Sequence, residues 1–429
     1  MEGEAVASSD FAEESDISRM VDRRMALTRE WDALVEQVRK LPGFEDFLKP
    51  PPLEKLLPAA EHGPVAMINV SRWRCDALLV VDGGVRVREL PDLHAIEVEE
   101  KTRAYLTVLD MVSQRWRAWW QAKQGAGDLG QAEQELSAAE DRAEKMLRAI
   151  LRWLWRAVAE PVLDELGFTA TPDGDESTWP RLWWCPTGLL TMLPLHAAGD
   201  HLTDGTHRPT VLDRVVSSYT PTLRALMQAR EPLPEDRTPE LLIVTVPQVG
   251  DEPPLPEAAA ERAMLQRRFP GRHRVLDGPE ATVDEVARLL PTYRWAHLSC
   301  HGNQLLDDPS QGGLRLSDDV LTVARLSAEQ HQGDFAFLSA CKTATGGLGL
   351  ADEAITLAAA LHYTGYRHVI GTLWTVNSSV AAEVATAVYN PQDEPFDPAG
   401  SVFRLHTVLR RLRETERLSV WTPFIHLGP

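Results

Sequence analysis

Two short stretches with the same pattern decide how this sequence is interpreted. "FAFLSACKTATGG" (Phe335 to Gly347) is an apolar run that stops at Cys341 and continues as a loop rich in Gly and Thr. "RWAHLSCHGN" (Arg294 to Asn303) has the same pattern but ends at His301. Apolar runs of this length are typical of buried strands. Cys341 and His301 are therefore core residues, metal ligands or a catalytic pair.

The segments around these two stretches alternate between strand and helix patterns. Apolar, β-branched runs predict strands near 181–185, 240–246, 273–278, 295–300, 334–340 and 367–374. Helix patterns lie between them, near 256–268, 282–290 and 352–361. Strands that alternate with helices and are nearly continuously apolar predict a mostly parallel sheet with helices on both faces.

The first part of the chain has a different organisation. An acidic tail leads into a helix pattern at 17–40, and the prolines at 50–52 end it. Strand-like runs at 64–90 contain the turn Asp82-Gly83-Gly84, which predicts a hairpin, and 97–166 is helical again. We expect three parts: a tail and helical segment at 1–60, a lobe of strands and helices at 61–166, and the alternating region at 167–429.

Composition excludes several classes of function. The 429 residues carry a formal net charge of −19, which argues against nucleic acid or an anionic membrane as a partner. Four scattered cysteines without a CxxC pair predict a reducing, cytoplasmic setting and no structural zinc site. No stretch has the length of a membrane span, no signal-peptide pattern is present, and no phosphate-binding glycine motif supports a nucleotide-binding protein.

The geometry of parallel strands indicates how His301 and Cys341 could act as a catalytic pair. Carboxyl ends of parallel strands meet at one edge of a sheet, so His301 and Cys341 would approach each other if their strands are neighbours. A histidine holds a nearby cysteine as its nucleophilic thiolate, and the N–H groups of Gly302 and Cys341 could stabilise an oxyanion. Each residue alone is more often structural. A metal site at Cys300 and His301 lacks an obvious acidic ligand.

Several longer stretches carry a resemblance to a known family. They follow in order from about 63 to 429: "GPVAMINVSRWRCDALLV", "RLWWCPTGLLTMLPLHAAG", "VVSSYTPTLRAL", "AHLSCHG", "LSACKTATG", "LADEAITLAAALHYTGYRHVIGTLW" and "PFIHLGP". Together they resemble the CHAT peptidases, relatives of caspases and separase.

The resemblance implies a fold, an activity and residue roles. The fold would be a caspase-like, mostly parallel sheet between helices, with an N-terminal helix-rich lobe that could be a pseudo-protease half. The activity would be that of a cysteine endopeptidase acting on a protein substrate without metal or cofactor. His301 would be the general base, Cys341 the nucleophile, and the backbone of Gly302 and Cys341 the oxyanion hole.

Residues that could bind substrate follow the predicted strands at 334–340 and 367–374. Asp352 and Glu353 open a predicted helix, where carboxylates complement the helix dipole, and Asp352 could also contact substrate. Separase-like enzymes often carry an acid after the strand that ends in "GTLW", but here Asn377, Ser378 and Ser379 follow. A buried basic side chain needs a paired charge, so we predict a neutral P1 pocket near Asn377 and Ser378.

Two further motif residues are expected to be structural, and the activity is expected to be controlled. His196 should form structural hydrogen bonds, and Trp374 should pack beneath the site. Relatives of this type are commonly latent until a partner or signal orders their loops. The regulator would be a separate protein or the N-terminal helix. The polar stretch after His301 is either an activation or substrate loop or a plain surface hairpin. The alternative function is an inactive caspase-fold scaffold or signalling adaptor.

Overall fold

A computed structural model describes residues 6–45, 47–201, 207–232, 240–250, 252–303, 305, 308–339, 356–390 and 395–429. The chain divides into one unit that spans Met1–Leu56 and a second that spans Leu57–Pro429. The first unit contains one long helix, α1 (Val6–Arg39). It covers the predicted helix at 17–40 except for its last residue, and it begins earlier. The described part of the chain has no helix that is both long and apolar enough to span a bilayer.

The second unit contains the remaining helices and all of the described strands. The strands are β1 (Val65–Asn69), β2 (Asp76–Val81), β3 (Gly84–Glu89), β4 (Arg181–Pro186), β5 (Gly199–His201), β6 (His207–Thr210), β7 (Val216–Tyr219), β8 (Leu241–Thr245), β9 (His273–Asp277), β10 (Trp295–Ser299), β11 (His301–Asn303), β12 (Gly313–Arg315), β13 (Val320–Thr322), β14 (Phe335–Ser339), β15 (His368–Thr372) and β16 (Phe424–Leu427). The helices are α2 (Ala95–Lys123), α3 (Leu129–Leu154), α4 (Glu160–Glu165), α5 (Leu223–Arg230), α6 (Ala258–Arg268), α7 (Val283–Leu289), α8 (Val323–Ser327), α9 (Leu357–Thr364), α10 (Ser378–Val388), α11 (Ser401–Thr415) and α12 (Leu418–Trp421).

Eleven strands form one sheet in the order β3-β2-β1-β4-β7-β16-β15-β14-β10-β8-β9. β1, β4, β7 and β16 pair in parallel, and so do β15, β14, β10, β8 and β9. These two sets meet at the antiparallel pair of β15 and β16. The prediction of a mostly parallel sheet with helices is confirmed, and the strands at 65–89 extend this same sheet.

The central strands are buried because their side chains are apolar on both faces. All five residues of β8, β10, β14 and β15 are buried. Burial of an Ile, Leu or Phe side chain contributes about 1.5–3 kcal/mol, so these strands hold the middle of the sheet firmly. β10 pairs with β14 in parallel, and Ser299 is the register partner of Ser339.

Local signals set the ends of several elements. β2 and β3 form the predicted hairpin, and its turn contains Gly83 at φ 84°, a conformation that glycine adopts without strain. Thr282 caps α7, because its hydroxyl accepts from the N–H of Glu285. The helix expected at 352–361 is described from Leu357, with Thr356 as its cap, and residues 352–355 lie outside the described part.

Candidate functional site

The two proposed catalytic residues follow neighbouring strands at corresponding positions. His301 is two residues beyond Ser299 at the end of β10, and Cys341 is two residues beyond Ser339 at the end of β14. Because Ser299 and Ser339 are partners in parallel strands, β10 and β14 end at the same edge of the sheet and at the same level. Cys341 itself lies outside the described residues, so the pairing of the two side chains stays a prediction.

His301 is held by a backbone carbonyl that no sequence pattern marks. Its Nε2 lies 2.9 Å from the carbonyl oxygen of Pro253, in the connection between β8 and α6. A carbonyl oxygen only accepts, so Nε2 carries the proton and donates it. In the neutral ring Nδ1 then has a free lone pair. The carbonyl of Pro253 thus orients the imidazole and leaves one nitrogen able to accept a proton.

The surroundings of His301 favour its neutral form. Partial burial lowers the pKa of His301 below its usual value, and this effect outweighs the nearby Glu252 carboxylate and the Pro253 carbonyl, which both raise it. A histidine that stays neutral near pH 7 can accept a proton from a thiol. The described environment therefore suits a general base.

Gly302 lies in a small three-stranded sheet that begins at His301 itself. It lies in β11, opposite Leu314 of β12, and β12 pairs in turn with β13. The described part of the polar stretch after His301 is therefore an antiparallel hairpin of β12 and β13 with β11 at its side. Neither its role as an activation loop nor the role of the Gly302 N–H in an oxyanion hole is tested by this arrangement.

A buried polar network lies beneath the edge that carries His301. The Glu261 carboxylate on α6 accepts from His297 Nε2 at 2.7 Å and from the Ser339 hydroxyl at 3.0 Å. The hydroxyl of Tyr389 lies 3.3 Å from His297 Nδ1, and the His297 ring stacks on Phe337. His297 is completely buried, and Glu261 is 3% exposed.

This network connects the two strands that lead to the proposed catalytic residues. His297 belongs to β10, Ser339 ends β14, and one carboxylate binds both. Buried polar groups cost free energy unless they are hydrogen bonded, so this arrangement favours one relative position of the two strands. Sequence analysis missed it. The available signals were His297 inside an apolar strand and Glu261 among alanines.

The structure describes two of the three predicted substrate-binding residues. Asn377 caps α10, since its side-chain oxygen accepts from the N–H and the hydroxyl of Ser379 at 3.1 and 3.0 Å. Ser378 is half-buried at the first position of α10. Both follow the carboxyl end of β15, at the edge that His301 occupies. Asp352 lies outside the described residues, and substrate contact at all three positions stays a prediction.

His196 and Trp374 are structural, as expected. His196 is buried, its Nδ1 lies 2.9 Å from the Tyr219 hydroxyl, and burial lowers its pKa to about 3. The Trp374 indole donates to the carbonyl oxygen of Ser419 and packs edge-on against Tyr105. Both residues therefore fix the positions of neighbouring segments.

The three described cysteines are poor nucleophiles because they are buried. Cys75, Cys185 and Cys300 are 4%, 3% and 1% exposed. Burial raises the pKa of Cys185 to about 12, so this side chain is a thiol at neutral pH. These three residues provide an internal reference for the reactivity of Cys341.

The sheet and its helices have the caspase-like fold, and solved structures share it. Two structures of the Saccharomyces cerevisiae separase–securin complex are similar, with TM-scores of 0.53 and 0.55 and identities of 10% and 11%. In each, the match covers 87% of this chain but 30% of the other chain, so this chain spans less than a third of its length. The Arg-specific cysteine proteinase gingipain R is also similar, with a TM-score of 0.38, 9% identity, and coverage of 66% of this chain and 67% of its own.

A match to a sequence model identifies the family of this chain. The sequence model of the CHAT domain matches residues 148–429, about two thirds of the chain. The protein therefore belongs to the CHAT domain family, as the motifs predicted. No curated protein matches the chain in sequence.

Proposed function

We propose that this protein is a cysteine endopeptidase in which His301 and Cys341 form the catalytic dyad. One observation carries the proposal: β10 and β14 are adjacent parallel strands in which Ser299 is the register partner of Ser339. His301 and Cys341 each follow two positions later in the sequence, which supports a pairing of the two residues. The family and the caspase-like fold support the same chemistry.

The proposed reaction begins with transfer of the Cys341 thiol proton to His301 Nδ1. The thiolate attacks the scissile carbonyl, and backbone N–H groups, including that of Gly302, stabilise the oxyanion. As the C–N bond breaks, the imidazolium gives its proton to the leaving amine. His301 then accepts a proton from water, which attacks the thioester, and Cys341 leaves as thiol with that proton. The carbonyl of Pro253 keeps the imidazole oriented in every step.

We further propose that a separate protein controls this activity. The separase structures that share the fold are complexes with securin, which supports a protein partner for this chain as well. A partner that orders loops at the carboxyl edge of β10 and β14 would shift the chain from an inactive to an active population.

A comparison of new protein N-termini tests the proposed function. Cells that express the wild-type chain are compared with cells that express Cys341→Ala or His301→Ala, and cleavage sites are read by mass spectrometry. We expect sites that occur only with the wild type. Identical N-termini in all three samples, with equal amounts of folded protein and with the natural cellular partners present, would favour the inactive scaffold instead.

A further inference from the structure

A large cavity opens where β15 begins, at the edge of the sheet opposite to the carboxyl ends of β10 and β14. Its volume is about 1020 Å³ among the described residues, which is large enough for a small-molecule ligand. Five arginines contribute to its lining: Arg181, Arg230, Arg367, Arg404 and Arg411. Such a concentration of cations is unexpected in a chain with a net charge of −19.

Two of these arginines lie against the same aromatic ring. The guanidinium carbon of Arg181 lies 4.4 Å from the centre of the Trp183 ring, and that of Arg230 lies 5.0 Å from it. The two cations therefore share one aromatic neighbour. Burial, and to a smaller extent the charge of Arg230, lowers the pKa of Arg181 to about 9. Arg181 remains charged at pH 7 although its environment disfavours the charge.

Within the described part of the chain, neither guanidinium forms an ion pair with an Asp or Glu side chain. Burial lowers the pKa of Arg230, and the charge of Glu61 opposes this effect. Arg181 donates to the Ser218 hydroxyl at 2.6 Å and to the main-chain oxygen of Pro429 at 3.3 Å. Arg230 donates to the carbonyl oxygens of Pro58 and Ala59. Among the described residues, Arg181 Nε, Arg230 Nε and Arg230 Nη2 are buried without a hydrogen-bond acceptor. Buried donors of this kind are costly when they are unsatisfied, so a bound acceptor would stabilise them.

The side chain of Arg181 is fixed by a chain of hydrogen bonds. The Ser218 hydroxyl that accepts from Arg181 lies 2.8 Å from His426 Nδ1, and His426 Nε2 lies 3.1 Å from His368 Nδ1. Burial lowers the pKa of both histidines well below the usual value, so they stay neutral. His368 also lines the cavity. The guanidinium is thus preorganised at the wall of the cavity instead of being free to swing into solvent.

We propose that this cavity binds a small phosphorylated molecule whose phosphate oxygens lie between Arg181 and Arg230. A phosphate has enough oxygens to accept from two guanidinium groups at once, and arginine forks match this geometry. The volume exceeds that of a single phosphate, so the ligand carries a further group. Asp175 and Asp397 also line the cavity and can accept from hydroxyl groups of such a ligand.

Titration with inorganic pyrophosphate tests the site on the full chain. Isothermal titration calorimetry is run in constant ionic strength, with sulfate as the competing background anion. We expect saturable binding of one pyrophosphate per chain, at least tenfold weaker binding by Arg230→Gln, and about threefold weaker binding by Arg411→Gln. Arg411 is more exposed and has an ion pair with Glu383, so its replacement is expected to leave the fold intact.

The matched control is Arg88→Gln, an exposed arginine on β3 that does not line the cavity. Its affinity for pyrophosphate should equal that of the wild type. The proposal is overturned by the absence of saturable binding to the folded wild type. It is also overturned if Arg88→Gln weakens binding as much as Arg411→Gln does, because the anion then responds only to overall charge.

Discussion

Asn377 occupies the position where separase-like enzymes often carry an acidic residue. In the structure its side chain caps a helix. The side-chain oxygen caps α10 through the N–H of Ser379. Replacement by Ala should therefore lower the free energy of unfolding by about 1 kcal/mol, whereas Asn377→Asp should leave it nearly unchanged, since Asp caps equally well. Urea unfolding of both variants checks this. An Asn377→Ala variant as stable as the wild type would contradict this capping role.

The same pair of variants tests the predicted neutral P1 pocket. We expect the wild-type chain, once active, to cleave peptides with uncharged P1 residues faster than peptides with Arg at P1. Asn377→Asp adds a carboxylate at this edge without loss of the cap and should increase the relative rate for Arg. A peptide library with one variable P1 position measures both ratios. Much faster cleavage after Arg by the wild type would show that an acid elsewhere, such as Asp352, supplies the charge.

At the scale of elements, Glu261 connects α6 with β10 and β14. Glu261→Ala leaves His297 and the Ser339 hydroxyl without their partner in the core, and we expect a loss of about 3–5 kcal/mol in the free energy of unfolding. The control is Glu257→Ala just before α6, whose side chain makes no capping hydrogen bond and which should change stability by less than about 0.5 kcal/mol. Similar losses in both variants would contradict a special role for the network.

The elements that could be predicted from sequence are those with a pattern of their own. Continuous apolar runs marked β10 and β14, and Asp82-Gly83-Gly84 marked the hairpin of β2 and β3. The register between β10 and β14 and the contacts of Glu261 depend on residues 36 to 78 positions apart, which leave no local pattern. The carbonyl of Pro253 could not be predicted at all, because every residue has a carbonyl.

At the scale of the whole molecule, buried neutral histidines make stability depend on pH. Burial lowers the pKa of His196 to about 3, and of His362 and His406 to about 4, and lowers those of His368 and His426 well below the usual value. In the unfolded chain these groups titrate near about 6.5. The unfolded state therefore binds more protons below this pH, so stability is complete above 6.5 and is lost as pH falls toward 4.

Each fully shifted histidine reduces the free energy of unfolding by about 1.4 kcal/mol per pH unit in this window. The five together predict a steep fall between pH 6 and pH 5. Chemical unfolding curves at several pH values, analysed for the second unit, measure the slope. A free energy of unfolding that is constant from pH 7 to pH 5 would contradict the neutral, buried state of these side chains.

The central claim is that His301 activates Cys341, and the alkylation rate of each cysteine tests it most directly. The full chain is treated with limiting iodoacetamide at pH 7, alone and in extract from its natural cells, and the four cysteine peptides are quantified by mass spectrometry. We predict that Cys341 reacts at least about tenfold faster than the buried Cys75, Cys185 and Cys300, and that His301→Ala removes most of this difference. A Cys341 that reacts no faster than Cys185 under both conditions, or equally fast without His301, would contradict the claim.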